Sequence, residues 1–97
     1  MTKLKRDELI KMVSDCILND RQNTYGSPED NFNTIADLWN EYLTNEHVCL
    51  DAYNVAMMMA LLKYARIKSS PNHIDNYVDL AGYILIAGSL VDANTKK

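Results

Sequence analysis

From Val55 to Leu62 the chain reads VAMMMALL, with no polar position in roughly two helical turns. A helix with one wet side shows polar residues every third or fourth position. One that is apolar all round requires cover all round. The pattern predicts a central helix over about 51–69, with Asp51 able to cap its start and Ser70-Pro71 beyond its end. Lys63 and Arg66 emerge toward its far end. A second nearly all-round apolar helix follows over about 73–91, opened by Asn72 as N-cap with Asp75 three residues on.

Two covering helices precede them. Over about 2–19, Leu9, Ile10, Val13, Ile17 and Leu18 share a stripe at helical spacing, with Lys3, Lys5, Asp7, Lys11 and Asp15 largely outside it. A polar loop, DRQNTYG, leads to a helix over about 28–45. Ser27 is its N-cap, Pro28 suits the first helical position, and Asp30 completes a variant of the capping box. Phe32, Ile35, Leu38, Trp39, Tyr42 and Leu43 form its apolar face. The fold class is all-α: a compact four-helix bundle, with the central helix paired antiparallel to helix 73–91. Four helices of this length do not easily cover two all-apolar ones. The pattern therefore predicts a homo-oligomer, a dimer or higher.

The 97 residues fit one domain with one modest core. A hydrophobic fraction of 47% is ordinary for a globular chain. The net charge of −3 argues against a non-specific nucleic-acid binder. Cys16 and Cys49 stand far apart, outside C-x-x-C spacing, which fits a reduced cytosolic protein. The opening MTKLKRDELIK turns charged again too soon for a signal peptide, and the apolar run Leu80–Val91 is too short for a bilayer. His47 and His73 lack partners at metal spacing, so no zinc site is expected, and the sequence leaves any cofactor unknown.

Candidate chemistry gathers at two places. If the turn is centred near Pro71, Lys63 lies opposite Asp79, and Arg66 opposite Asp75 or Asn76. Asp75 and Asp79 are four apart and share a face that Gly82 and Tyr83 continue. One reading is a pair of ion pairs that set the register of the hairpin. The other is a polar pocket: cations for phosphates, carboxylates for a metal or sugar hydroxyls, tyrosines to stack a base. The second place is Arg21, Tyr25, Gly26, Ser27 and Asn31, where a helix N-terminus attracts anions. There too a structural role competes, with Tyr25 plugging the bundle end and Arg21 pairing with Glu29 or Asp30. The ligand-binding candidates are Arg21, Tyr25, Asn31, Lys63, Arg66, Asp75, Asp79 and Tyr83. No catalytic motif names a reaction.

Assembled, DRQNTYGSPEDNF, IADLWNEYL, DAYNVAMMMALLKYARI and DNYVDLAGYILIAG resemble a family of short helical proteins of uncharacterised function in bacteriophages and prophages. The resemblance covers about Arg21 to Leu90. It rests on Arg-x-x-x-Tyr-Gly-x-Pro, then Lys-x-x-Arg, then Asp-Leu-Ala-Gly-Tyr. It implies a phage or prophage product acting in the host bacterial cytoplasm, as a host-takeover or anti-defence factor. Such a factor captures a small phosphorylated ligand, nucleotide-like, or a bacterial protein. A weaker similarity is to the MazG-like all-α nucleoside triphosphate pyrophosphohydrolases, which implies magnesium held by Asp75 and Asp79. Their earlier Glu-Glu-x-x-Glu signature is missing here. A third reading is a pure protein–protein inhibitor that uses the acidic stretch Glu29, Asp30, Asp37, Glu41 and Glu46.

Overall fold

A computed structural model describes residues 3–20 and 26–92. Among these the chain is entirely helical: α1 (Arg6–Asp15), α2 (Pro28–Leu43), α3 (Ala52–Ser69) and α4 (Ile74–Ser89), without a strand. Cys16–Asp20 continue α1 as a π-helical turn.

Each start has a physical cause. The helix of the N-terminal segment begins at Arg6, later than its stripe predicts, where the Lys5 N–H donates to Glu8 Oε1 at 2.7 Å. At α2, Gly26 takes φ +80°, and Ser27 Oγ then accepts from the Asp30 N–H at 3.1 Å. At α3, Asp51 Oδ1 accepts from the Asn54 N–H while Asn54 Oδ1 accepts from the Asp51 N–H, both at 2.9 Å. Two first-turn donors are thereby satisfied reciprocally. At α4 the cap is His73, not Asn72 as the spacing suggested, and it gives no side-chain bond to the first turn. Asn72 lies one residue too early to reach those amides.

The strongest packing joins α3 to α4, which returns along it after the short connection 70–73. On that pair α2 lies against α3, and α1 with its π-turn lies against α4. The core holds Phe32, Ala36, Ala52, Val55, Ala56, Ala60, Tyr83, Ile86 and Ala87. Small side chains dominate it, so only Phe32 and Val55 are large and fully buried. The face presented by α2 is rotated from the predicted one. Ala36 packs inward, while Leu38 is exposed and Tyr42 is 86% exposed. Phe32, Ile35, Ala36 and Trp39 make the working stripe.

Nor is α3 covered all round. Ala52, Val55, Ala56 and Ala60 are buried, whereas Met58, Leu61, Leu62, Tyr64 and Ala65 are exposed. Gly82 lets the N-terminal segment approach α4: a Cβ there would lie 3.0 Å from Ile17 Cγ2. No helix among the described residues is long and apolar enough to cross a membrane.

Candidate functional site

The most polar concavity forms where α3 ends and α4 begins. Proline cannot continue a helix and restricts the residue before it, so Pro71 stops α3 at Ser69. The Arg66 carbonyl accepts the Ser70 N–H at 2.8 Å and the Ser69 hydroxyl at 3.2 Å. Tyr77 Oη donates to the Pro71 carbonyl at 2.8 Å, tying the turn to α4. The result is a cleft of about 510 Å³ lined by Lys63, Arg66, Ser69, Ser70, His73, Asp75, Asn76 and Asp79.

Four of the sequence candidates meet there: Lys63, Arg66, Asp75 and Asp79. Lys63 Nζ lies 2.9 Å from Asp79 Oδ2, with side chains only 16% and 28% exposed. Arg66 is exposed on the same wall and has no ion pair among the described residues. Of two conceivable ion pairs, one forms. Asp75 stands instead 3.9 Å from the His73 imidazole, both well exposed. Asn76 lines the wall with only 5% of its surface exposed.

The start of α4 opens on this cleft. Its first-turn amides have no side-chain cap, and the positive end of a helix attracts anions. The cleft therefore combines a guanidinium unpaired among the described residues, the Lys63–Asp79 pair, the Asp75 carboxylate, an uncapped helix end, two hydroxyls and a buried amide. Such a set suits an oxyanion with neighbouring polar groups.

The remaining candidates are placed elsewhere. Tyr83 is a core residue, with its ring 6.1 Å from that of Phe32, and does not line the cleft. Asn31 is half-buried in the first turn of α2 and lines none of these walls. Arg21 and Tyr25 lie outside the described residues. Ser69, Ser70 and His73 were not singled out by sequence reasoning. Their one available signal was nearness to the turn at Pro71.

Among the described residues no three His, Cys, Asp or Glu side chains converge to hold a metal ion. The acidic stretch of Glu29, Asp30, Asp37, Glu41 and Glu46 is exposed throughout. Cys16 is half-buried and Cys49 exposed, both as free thiols. A second concavity, apolar and about 420 Å³, runs between α1 and α4 along Leu9, Val13, Ile17, Tyr77, Ala81 and Leu85.

Residues 8–91 match a family model described as a domain of unknown function, DUF6378. The chain is 36% identical over 77 residues to the Gene 55 protein of Mycobacterium phage D29, covering 79% of this chain and 49% of that protein. It is likewise 36% identical over 75 residues to the Gene 55 protein of Mycobacterium phage L5, covering 77% of this chain and 47% of that one. The chain thus spans about half the length of these relatives. No solved structure matches it.

Proposed function

Because the chain belongs to the DUF6378 family, a phage protein family of uncharacterised function, we propose that it is a small phage binding protein that captures a nucleotide-like phosphorylated ligand at the end of the α3–α4 hairpin. The role this serves is host takeover or the blunting of a bacterial defence. The observation that carries the reading is Arg66. Among the described residues its guanidinium stands without an ion pair, in the polar cleft that the uncapped start of α4 also lines. A guanidinium offers a planar fork of donors that matches phosphate oxygens. Lys63 is held by Asp79 at the back of the cleft, while Asn76 and the serine hydroxyls offer contacts for hydroxyl or base groups.

The pyrophosphohydrolase alternative needs several converging carboxylates around magnesium. Asp79 is engaged by Lys63 and Asp75 stands apart beside His73, which favours capture over hydrolysis. Capture of a bacterial protein remains the contrasting outcome of the test.

Native mass spectrometry of protein purified gently from bacterial cells, followed by release and identification of small molecules, tests the reading. A stoichiometric nucleotide, with binding weakened at least about tenfold in Arg66→Met by calorimetry, is the expected result. Loss of magnesium-dependent turnover in Asp75→Asn, with binding kept, would establish the hydrolase instead. Protein that arrives clean and binds nothing in a nucleotide panel overturns the small-molecule reading. A pull-down for a bacterial partner is then the next step.

A further inference from the structure

Granted the capture function proposed above, on which this rests, we infer that Asn76 selects the ligand of the α3–α4 cleft. Its side-chain amide pairs with a neutral donor–acceptor edge, of the kind a nucleobase presents, on a ligand that carries a single phosphoryl group. Apart from Tyr83, Asn76 is the only buried residue with a polar side chain among the described ones, at 5% exposure. A buried amide normally has partners. Asn40 shows the usual case, with its nitrogen donating to the Leu50 carbonyl and its oxygen accepting the Leu50 N–H. The Asn76 side chain makes no hydrogen bond among the described residues. It is not walled in either: no buried side-chain nitrogen or oxygen among the described residues is cut off without a partner. The little surface that Asn76 keeps opens on the cleft it lines.

No contact among the described residues accounts for an amide at this position. Alanine is the better helix former and would bury no polar group. The acceptor nearly one turn further along α4, Asp79, is taken by Lys63 Nζ at 2.9 Å. Asp75 stands well exposed, 3.9 Å from His73 Nε2. An amide donates from its nitrogen and accepts at its oxygen, so a fixed one reads a group that does the reverse. Nucleobase edges do so, whereas a phosphate only accepts. A site built on such a pairing discriminates against a ligand that lacks it, because the buried amide is then left unpaired.

Charge limits the phosphorylated end. Lys63 and Arg66 face Asp75 and Asp79 around the cleft, so with His73 neutral its formal charge is zero. Lys63 and Asp79 offset each other, which leaves Arg66 to fork onto a phosphoryl group. A second or third phosphate would bring more negative charge toward Asp75, with no further cation among the described residues that line the cleft. The volume of about 510 Å³ lies within the roughly 300–1,000 Å³ of small-ligand sites.

Calorimetry on the full chain, in buffer without divalent cations, tests this with ribose 5-phosphate, the ribonucleoside monophosphates and their triphosphates as probes. In the wild type at least one monophosphate binds about tenfold or more tighter than ribose 5-phosphate, and the matching triphosphate binds no tighter than the monophosphate. Asn76→Ala removes that preference, bringing the monophosphate to within about twofold of ribose 5-phosphate. Its thermal midpoint holds or rises, since an unpaired buried amide has been removed. Asn76→Ser, which also shortens the reach, decides the matter in the same way if Asn76→Ala fails to fold. Arg66→Met weakens ribose 5-phosphate and the monophosphate alike. A base preference that survives in the Asn76 variants overturns the role of Asn76 and leaves the capture function standing. A triphosphate that binds about tenfold tighter than its monophosphate overturns the single-phosphoryl ligand. If no phosphorylated probe binds the wild type, the capture function itself falls, and the role of Asn76 falls with it.

Discussion

Lys63 and Asp79 form the one ion pair that links α3 to α4 among the described residues, at 2.9 Å and with both side chains largely withdrawn from water. Replacing one partner leaves a half-buried charge without compensation, which costs more than the pair itself contributes. Lys63→Met alone is expected to lower stability by about 1–3 kcal/mol. Lys63→Met with Asp79→Leu should recover most of that loss. Urea denaturation of the four proteins in the double-mutant cycle measures the coupling.

One side chain of α2 ties down the far end of the connection to α3. Asn40 Nδ2 donates to the Leu50 carbonyl at 2.9 Å, and the Leu50 N–H donates to Asn40 Oδ1 at 2.7 Å. Asn40→Ala removes both bonds and should cost about 2 kcal/mol. Asn40→Asp keeps the acceptor but turns a carboxylate oxygen on the Leu50 carbonyl, so it should be at least as damaging as the alanine by equilibrium unfolding at neutral pH. An aspartate milder than the alanine would show that the Leu50 N–H bond carries most of the clasp.

Thr44 ends α2 in the left-handed region, at φ 48° and ψ 36°. A β-branched residue there is strained by roughly 1–2 kcal/mol. Thr44→Gly should therefore stabilise the protein, by about 1 kcal/mol after the flexibility of glycine is counted. Its thermal midpoint should rise. A fall would mean that the Thr44 hydroxyl bond to the Leu43 carbonyl outweighs the strain.

At the contact of α4 with the N-terminal segment there is no room for a branched side chain. Gly82→Val would push against Ile17 and should cost about 1–3 kcal/mol by overpacking. Gly82→Ala is milder, since alanine regains helix propensity of about 1 kcal/mol against the same crowding. Hydrogen exchange in α1 should rise in the valine variant before that in α3.

Much of this fold was legible where the physics is local. Ser27-Pro28 and Asp51 start helices because their side chains act within one turn. The Lys63–Asp79 contact could be read because both residues lie equally far from Pro71. Long-range choices were less accessible. The Asn40 clasp joins positions ten apart across an irregular loop, where no periodicity applies. The rotation of α2 that exposes Leu38 and Tyr42 depends on Ala36 fitting its neighbours, and hydrophobicity alone ranks Ala36 last. Tyr83 follows the polar face in sequence spacing, yet its ring finds Phe32. In the cleft the cations could be foreseen, but not that Arg66 would have no carboxylate partner among the described residues.

A core built mostly of alanines has a thermodynamic consequence. Burial of large side chains is the main force against chain entropy, and here few large side chains are buried within one copy. The apolar stabilisation of the described core therefore hangs on very few side chains, and Phe32→Ala should cost about 3–5 kcal/mol, on the order of the whole margin by which a small domain stays folded. A urea midpoint that moves little in Phe32→Ala would show that the alanine contacts carry more than their size suggests.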